Sequence, residues 1–161
     1  MEKTLTADEQ FETKMAILAD VLVKKKAALL AVLAISENQE NLYATPAGSE
    51  RHEALMQMGK EKQVHIDSVL ACDDFFQKVF DSISDVFEDK GRNYAEQVRG
   101  LQEAITELLE LDIKIRATEE KVKLAVQSAW EQKPPETTEA PKAVQHQLLQ
   151  AYKDNNRNRN R

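Results

Sequence analysis

Apolar residues gather on one side of a helix between positions 66 and 87. Ile66, Val69, Phe76, Phe80, Ile83 and Phe87 follow one another at steps of three, seven, four, three and four residues. That spacing holds an apolar stripe on one face of an α-helix. Four of the chain's five phenylalanines, Phe75, Phe76, Phe80 and Phe87, lie in this stretch. A helix with so much aromatic surface on one side must be covered by other segments, which makes this stretch the expected spine of a bundle.

The rest of the chain supplies the cover. Thr6 followed by Glu9 reads as a capping box that opens a first helix after a frayed 1–6. Phe11, Met15, Leu18, Leu22, Lys25, Leu29, Val32, Ser36, Gln39 and Tyr43 then alternate steps of four and three, which is a heptad seam. Thr45, Pro46 and Gly48 interrupt it, so the first helix is expected over 7–44. A second helix is expected over 50–89, capped by Ser49 and seamed by Lys62, Ile66, Val69, Asp73, Phe76, Phe80, Ile83 and Phe87, with Gly91 as its C-terminal cap. The third, over 92–130, carries Tyr94, Val98, Leu101, Ile105, Leu108, Asp112, Ile115, Glu119, Val122, Val126 and Ala129, and Pro134 and Pro135 stop it.

Helices of about forty residues are on the order of 55–60 Å long, and short connections force neighbours to run antiparallel. The fold class is therefore all-α: an elongated antiparallel three-helix bundle or coiled coil over 7–132. A Pro-rich, semi-rigid linker follows over 133–141, then a short amphipathic helix over 142–153, then a disordered Asn/Arg tail over 154–161.

Charged residues inside the seams constrain the register. With turns near 46 and 90, position p of the first helix is level with about 93 − p of the second, and p of the second with about 181 − p of the third. Lys25 then shares a layer with Asp112, and Lys62 with Glu119. These polar layers either fix the register or let their long side chains snorkel to solvent.

Composition narrows the chemistry. Charged residues make up 31% of the chain, the net charge is −6 and the pI is near 5.2, which argues against general nucleic-acid binding. The single cysteine, Cys72, allows no internal disulfide and fits a reducing compartment. The polar first ten residues are no signal peptide, and the longest apolar run, nine residues over 27–35, cannot span a bilayer. A soluble, cytoplasmic protein without membrane insertion is expected. No phosphate loop or nucleophile elbow occurs. His52, His65 and His146 are scattered, and Glu61 with His65 has the wrong spacing for a helical metal site. No catalytic residue, cofactor or metal is expected, and binding is left as the function.

Two apolar groups lack obvious cover. Val122, Val126 and Trp130 lie where the first helix has turned polar. Val144, Leu148, Leu149 and Tyr152 line one side of a segment too short to be a stable helix alone. That segment is either a detachable cover for a partner site or a permanent fourth element.

The segments KEKQVHIDSV, DDFFQKVFDSI and YAEQVRGLQEAITELLELDIKI, with the following Glu119–Glu120 pair, resemble flagellar type III export chaperones of the FlgN/FliT type, most closely a clostridial-like branch. The resemblance covers roughly positions 17–126. It implies a non-enzymatic cytoplasmic protein, monomeric or weakly dimeric, that holds the terminal helices of a hook–filament junction protein or of the filament cap. Such a chaperone prevents premature assembly of its cargo and delivers it to the export gate. It further implies that Val144, Leu148, Leu149 and Tyr152 cover or complete the cargo site, although the 134–141 linker and the Asn/Arg tail depart from shorter members. The competing reading is a structural coiled-coil adaptor or homo-oligomeric scaffold.

Overall fold

The computed structural model describes residues 4–131, and within them the chain is all-α, a helical bundle with three long helices and no strand. Helix α1 is Ala7–Tyr43, α2 is Ser49–Asp81, α3 is Ser84–Gly91, and α4 is Ala95–Glu131, with a single 3₁₀ turn, Arg92–Tyr94, leading into α4. The linker over 133–141, the segment over 142–153 and the tail over 154–161 lie outside the described residues.

Local chemistry sets the helix ends. The Glu9 amide donates to Thr6 Oγ1 (3.1 Å), and the Thr6 amide donates to Glu9 Oε2 (3.4 Å), a reciprocal capping box that satisfies two otherwise orphaned donors. At the other end of α1, Thr45 Oγ1 donates to the Leu42 carbonyl (2.6 Å). Arg51 Nη1 donates to the Thr45 carbonyl (2.9 Å), and its guanidinium lies 5.4 Å from the centre of the Tyr43 ring. Ser49 is the first residue of α2 and not the cap before it; the Gly48 carbonyl accepts the His52 amide (3.0 Å).

The second helix does not run to 89 as expected. It stops at Asp81, because two serines offer the backbone other partners. Ser82 Oγ donates to the Val79 carbonyl (2.5 Å) and Ser84 Oγ to the Asp81 carbonyl (3.1 Å). The Ser82 amide is shared between the Lys78 and Val79 carbonyls (3.3 and 3.1 Å), and the Ile83 amide reaches back only three residues, to Phe80 (3.0 Å). Ile83, at φ −122° and ψ −1°, leaves the helical region and is buried at 3% exposure. Gly91 is not a left-handed cap. Its φ of −59° and ψ of −28° are helical, so the chain passes through it from α3 into the 3₁₀ turn.

The chain forms two compact units, Met1–Val32 with His65–Ile115, and Leu33–Val64 with Arg116–Arg161. In the first unit, Asp8 pairs with Lys90 (2.9 Å), Phe11 packs on Phe87 (6.1 Å between ring centres), and Lys25 pairs with Asp73 (2.6 Å). Each pair follows 98 − p, so α1 is antiparallel to α2 and α3, and the break at Ser82 causes no slip in register. Side-chain direction accounts for about two of the five residues of offset from the expected 93 − p. Helical side chains lean toward their own N-terminus, so in an antiparallel pair the tips that touch belong to residues further along both chains than those whose backbones are level. Between α1 and the 3₁₀ turn with α4 after it, Phe11 with Tyr94 (5.3 Å between ring centres) and Lys26 with Glu107 (2.9 Å) mark a parallel run.

The expected spine is corrected as well. Phe76, Phe80 and Phe87 form a chain of ring contacts at 6.3 and 5.6 Å, but each is only half-buried, and Phe75 is 49% exposed. The deepest line belongs to α1, where Phe11, Met15, Leu18, Leu22, Leu29 and Val32 are all buried, with Leu18 and Val32 at 0%. Val21, Ala28 and Leu33 widen that buried arc. In the first unit α1 is flanked on both sides, while the aromatic face of α2 and α3 keeps an open edge.

Truncating the true spine should therefore hurt more than removing a phenylalanine. Leu18→Ala is expected to lower unfolding free energy by about 2–5 kcal/mol, and Phe75→Ala by less than about 1 kcal/mol, as read by urea denaturation. A second expectation concerns Tyr43, whose phenol is raised above its ordinary 10.0 by burial, with Arg51 opposing the shift. Because the folded state prefers the neutral phenol, this contribution is complete below pH 10.0 and is lost as pH rises through the folded value. Tyr43→Phe should flatten the alkaline fall in stability; an unchanged profile in a pH series of denaturation curves would count against the assignment.

Candidate binding surfaces and a buried polar layer

The most enclosed polar chemistry is in the second unit. Lys62 of α2, Glu119 of α4 and Ser36 of α1 are buried at 5%, 6% and 0% exposure. Lys62 Nζ pairs with Glu119 Oε1 and donates to Gln39 Oε1 (3.0 Å), while Ser36 Oγ donates to Glu119 Oε1 (2.7 Å). One carboxylate thus receives a cation and a hydroxyl from two different helices. No buried side-chain nitrogen or oxygen among the described residues is left without a partner. This arrangement does no chemistry on a substrate, because nothing can reach a Ser36 hydroxyl that is wholly enclosed and already bonded to a carboxylate. Its effect is on register: sliding α2 against α4 by one turn would part Lys62 from Glu119 in the interior, and sliding α1 would take the Ser36 hydroxyl from the carboxylate.

The other expected layer is not formed as anticipated. Lys25 pairs with Asp73 of α2, a residue the seam pattern already contained, and not with Asp112. Taking Lys26–Glu107 as the register mark, Lys25 is level with position 106 of α4, six residues and more than a turn before Asp112. The Lys25–Asp73 pair is half-exposed and contributes little beyond solvated Coulomb attraction.

Val122, Val126 and Trp130 do not make one open surface. Val122 is buried at 5%, Val126 is half-buried, and Trp130 is 47% exposed. The reason is again register. Ser36 bonded to Glu119 sets α1 and α4 parallel in this unit, so Val122 is level with Gln39 and Val126 with Tyr43, where α1 is still present. Val144, Leu148, Leu149 and Tyr152 lie outside the described residues.

The exposed apolar surface that is present lies elsewhere on α4. Leu101, Leu108, Ile115 and Val122, seven apart, are buried at 7%, 6%, 0% and 5%. Ile105, Leu109 and Ile113, four apart, are exposed at 39%, 61% and 69%. From the sequence Ile105 was expected in the buried seam, whereas the strict seven-residue line takes the core and leaves the four-residue line outside. That second period is visible in the sequence once the two spacings are separated.

No family model, curated protein or solved structure matches the chain. Its function therefore has to be argued from its own residues. Among the described residues no group of three or more His, Cys, Asp and Glu side chains is placed to hold a metal. Cys72 is a free, half-buried thiol. No helix among the described residues is long and apolar enough to cross a membrane.

The polar layer can be tested by breaking it in two ways. Glu119→Ala, which leaves Lys62 buried without its carboxylate, is expected to destabilise by about 3–5 kcal/mol. The triple change Ser36→Ala, Lys62→Met, Glu119→Leu should instead be neutral or stabilising in thermal unfolding. A triple variant as damaged as the single one would show that the layer is held for stability and not for register.

Proposed function

We propose that this protein is a non-enzymatic cytoplasmic chaperone of flagellar export. It binds the terminal helices of a late export substrate, either a hook–filament junction protein or the filament cap, keeps them from assembling early and passes them to the export gate. The observation that carries the reading is a pair of facts about α4: its core positions are filled by one apolar line, and a second line of large apolar side chains stays exposed. A helix with two such faces suits the holding of another helix. The resemblance of 60–69, 73–83 and 94–115 to export chaperones of the FlgN/FliT type supplies the class of cargo.

Under this reading the chain is a monomer or weak dimer that takes one cargo terminus per copy. The segment with Val144, Leu148, Leu149 and Tyr152 either covers or completes the cargo site. The competing reading, a coiled-coil adaptor or homo-oligomeric scaffold, assigns the same exposed line to contacts between copies.

Titration of the full chain with separately purified termini of junction and cap proteins should give one-to-one binding to at least one of them. Removing residues 142–161 should then shift that affinity, upward for a cover or downward for a completing element. Unchanged affinity would remove this segment from the site. A chain that binds no terminus but sediments as a stable oligomer would favour the scaffold.

A further inference from the structure

The connection between α2 and α4 is built from short pieces that own no interior side chain. Helix α3 has eight residues and the 3₁₀ turn after it has three, and none of them is buried. A helix of that length is not stable by itself, so α3 persists only through what it touches. It is also cut off from α2. The Ser82 and Ser84 hydroxyls bond to the Val79 and Asp81 carbonyls, and Ile83 leaves the helical region, so the ladder of α2 ends before α3 begins. Gly91 sits at the junction with the 3₁₀ turn in a helical conformation, where a glycine adds only freedom to the open chain and weakens the piece further.

The segment is tied down within the first unit by rings and one ion pair. Phe87 packs on Phe11 and Phe80 (6.1 and 5.6 Å between ring centres), Tyr94 packs on Phe11 (5.3 Å), and Lys90 pairs with an Asp8 whose side chain is 75% exposed. Phe11 itself is only 2% exposed, and the rings that cover it, Phe87 and Tyr94, both belong to this segment. We propose that residues 84–94 form a flap that opens as a unit while α1, α2 and α4 stay folded, and that its opening uncovers Phe11. Part-exposed ties on a stretch without buried residues are what a unit of low local stability consists of. Closed, the flap seals the apolar line of α1 at its first turns; open, it frees the Phe11 ring. The inference does not depend on what the protein carries, and its failure would leave the export-chaperone reading as it stands.

Native-state hydrogen exchange on the full chain, followed in low urea, tests this. The amides of 88–91, inside α3, should exchange at least about tenfold faster than those of 66–78 in α2, with a weaker dependence on urea because less surface is opened. Leu29→Ala removes a buried side chain of α1 opposite position 69, far along the helix from the flap. It should speed the α2 amides by about thirtyfold or more and leave 88–91 unchanged. Phe11→Leu should speed both groups by the same factor, because its ring contacts are lost in either opening. Gly91→Ala should slow 88–91 by about two- to fivefold, since the added Cβ would stand 3.8 Å from Phe87 and Val98, an ordinary contact. Chymotrypsin, which needs a locally opened chain, should cut the native protein after Phe87 or Tyr94 before any aromatic residue of α1 or α2.

Exchange of 88–91 that follows α2 in rate, in urea dependence and in its response to Leu29→Ala would overturn the proposal, because the segment would then open only when the whole chain unfolds. A Phe11→Leu variant that speeds α2 alone would show that Phe11 stays covered when the segment opens, and the flap would be no more than a fraying of α3. A first chymotryptic cut after Phe75 or Phe76 would put the weakest point inside α2 and overturn it too.

Discussion

Burial of one helix on two flanks is the constraint from which the remaining features follow. The seam of α1 is apolar from Phe11 through Leu33 apart from Lys25, and Phe11, Met15, Leu18 and Val32 are among the most enclosed side chains of the described residues. A stripe that broad cannot be covered by a single neighbour, so both α2 and α4 must lie against α1 in the first unit, one antiparallel and one parallel to it. Once those neighbours are fixed, the remaining faces of α2 and α4 point outward whatever they carry. This is why Phe75, Ile105, Leu109 and Ile113 are exposed despite being as apolar as the residues in the core. Their exposure is a result of geometry, and what they then offer to a partner is the functional question.

Hydrophobic burial alone would tolerate a slip of one turn, since heptad seams repeat. The second unit removes that freedom by polar means. Glu119 takes a cation from α2 and a hydroxyl from α1, and Gln39 takes the remaining reach of Lys62. Three helices meeting at one carboxylate favour a single alignment, because a slip of α2 against α4 leaves a desolvated charge and a slip of α1 costs the carboxylate its hydroxyl. In the first unit the ion pairs that α1 makes with its neighbours, Lys25–Asp73, Lys26–Glu107 and Asp8–Lys90, each have at least one half-exposed or exposed partner, and ring packing around Phe11, Phe87 and Tyr94 adds to the alignment.

The helical class, the capping box at Thr6 and the Lys62–Glu119 partnership could all be read from the sequence, because each rests on period or on local spacing. What could not be read had one of two causes. The break at Ser82 depends on hydroxyl groups competing for backbone carbonyls, and the sequence DSISD also suits an uninterrupted helix. The pairing of Lys25 with Asp73 instead of Asp112 turns on a register offset of α1 against both neighbours, which a count from assumed turn positions does not contain. The candidate site turns on the length of α1: it reaches Tyr43, level with Val126, so the expected patch at Val122 and Val126 is largely closed.

Ile105 shows how the two apolar periods of α4 divide the work. Leu101, Leu108 and Ile115 repeat every seven residues and therefore drift only about 20° per repeat around a straight helix, staying within the arc that the core covers. Ile105, Leu109 and Ile113 repeat every four and drift by about 40° at each step, away from that arc, and their exposure climbs in the same order from 39% through 61% to 69%. The four-step line thus leaves the core as it advances along the helix. A residue chosen only to fill the interior would follow the first period. Large aliphatic side chains held on the second cost solubility and add nothing to the core beneath them, so their retention is best explained by something outside the bundle that covers them.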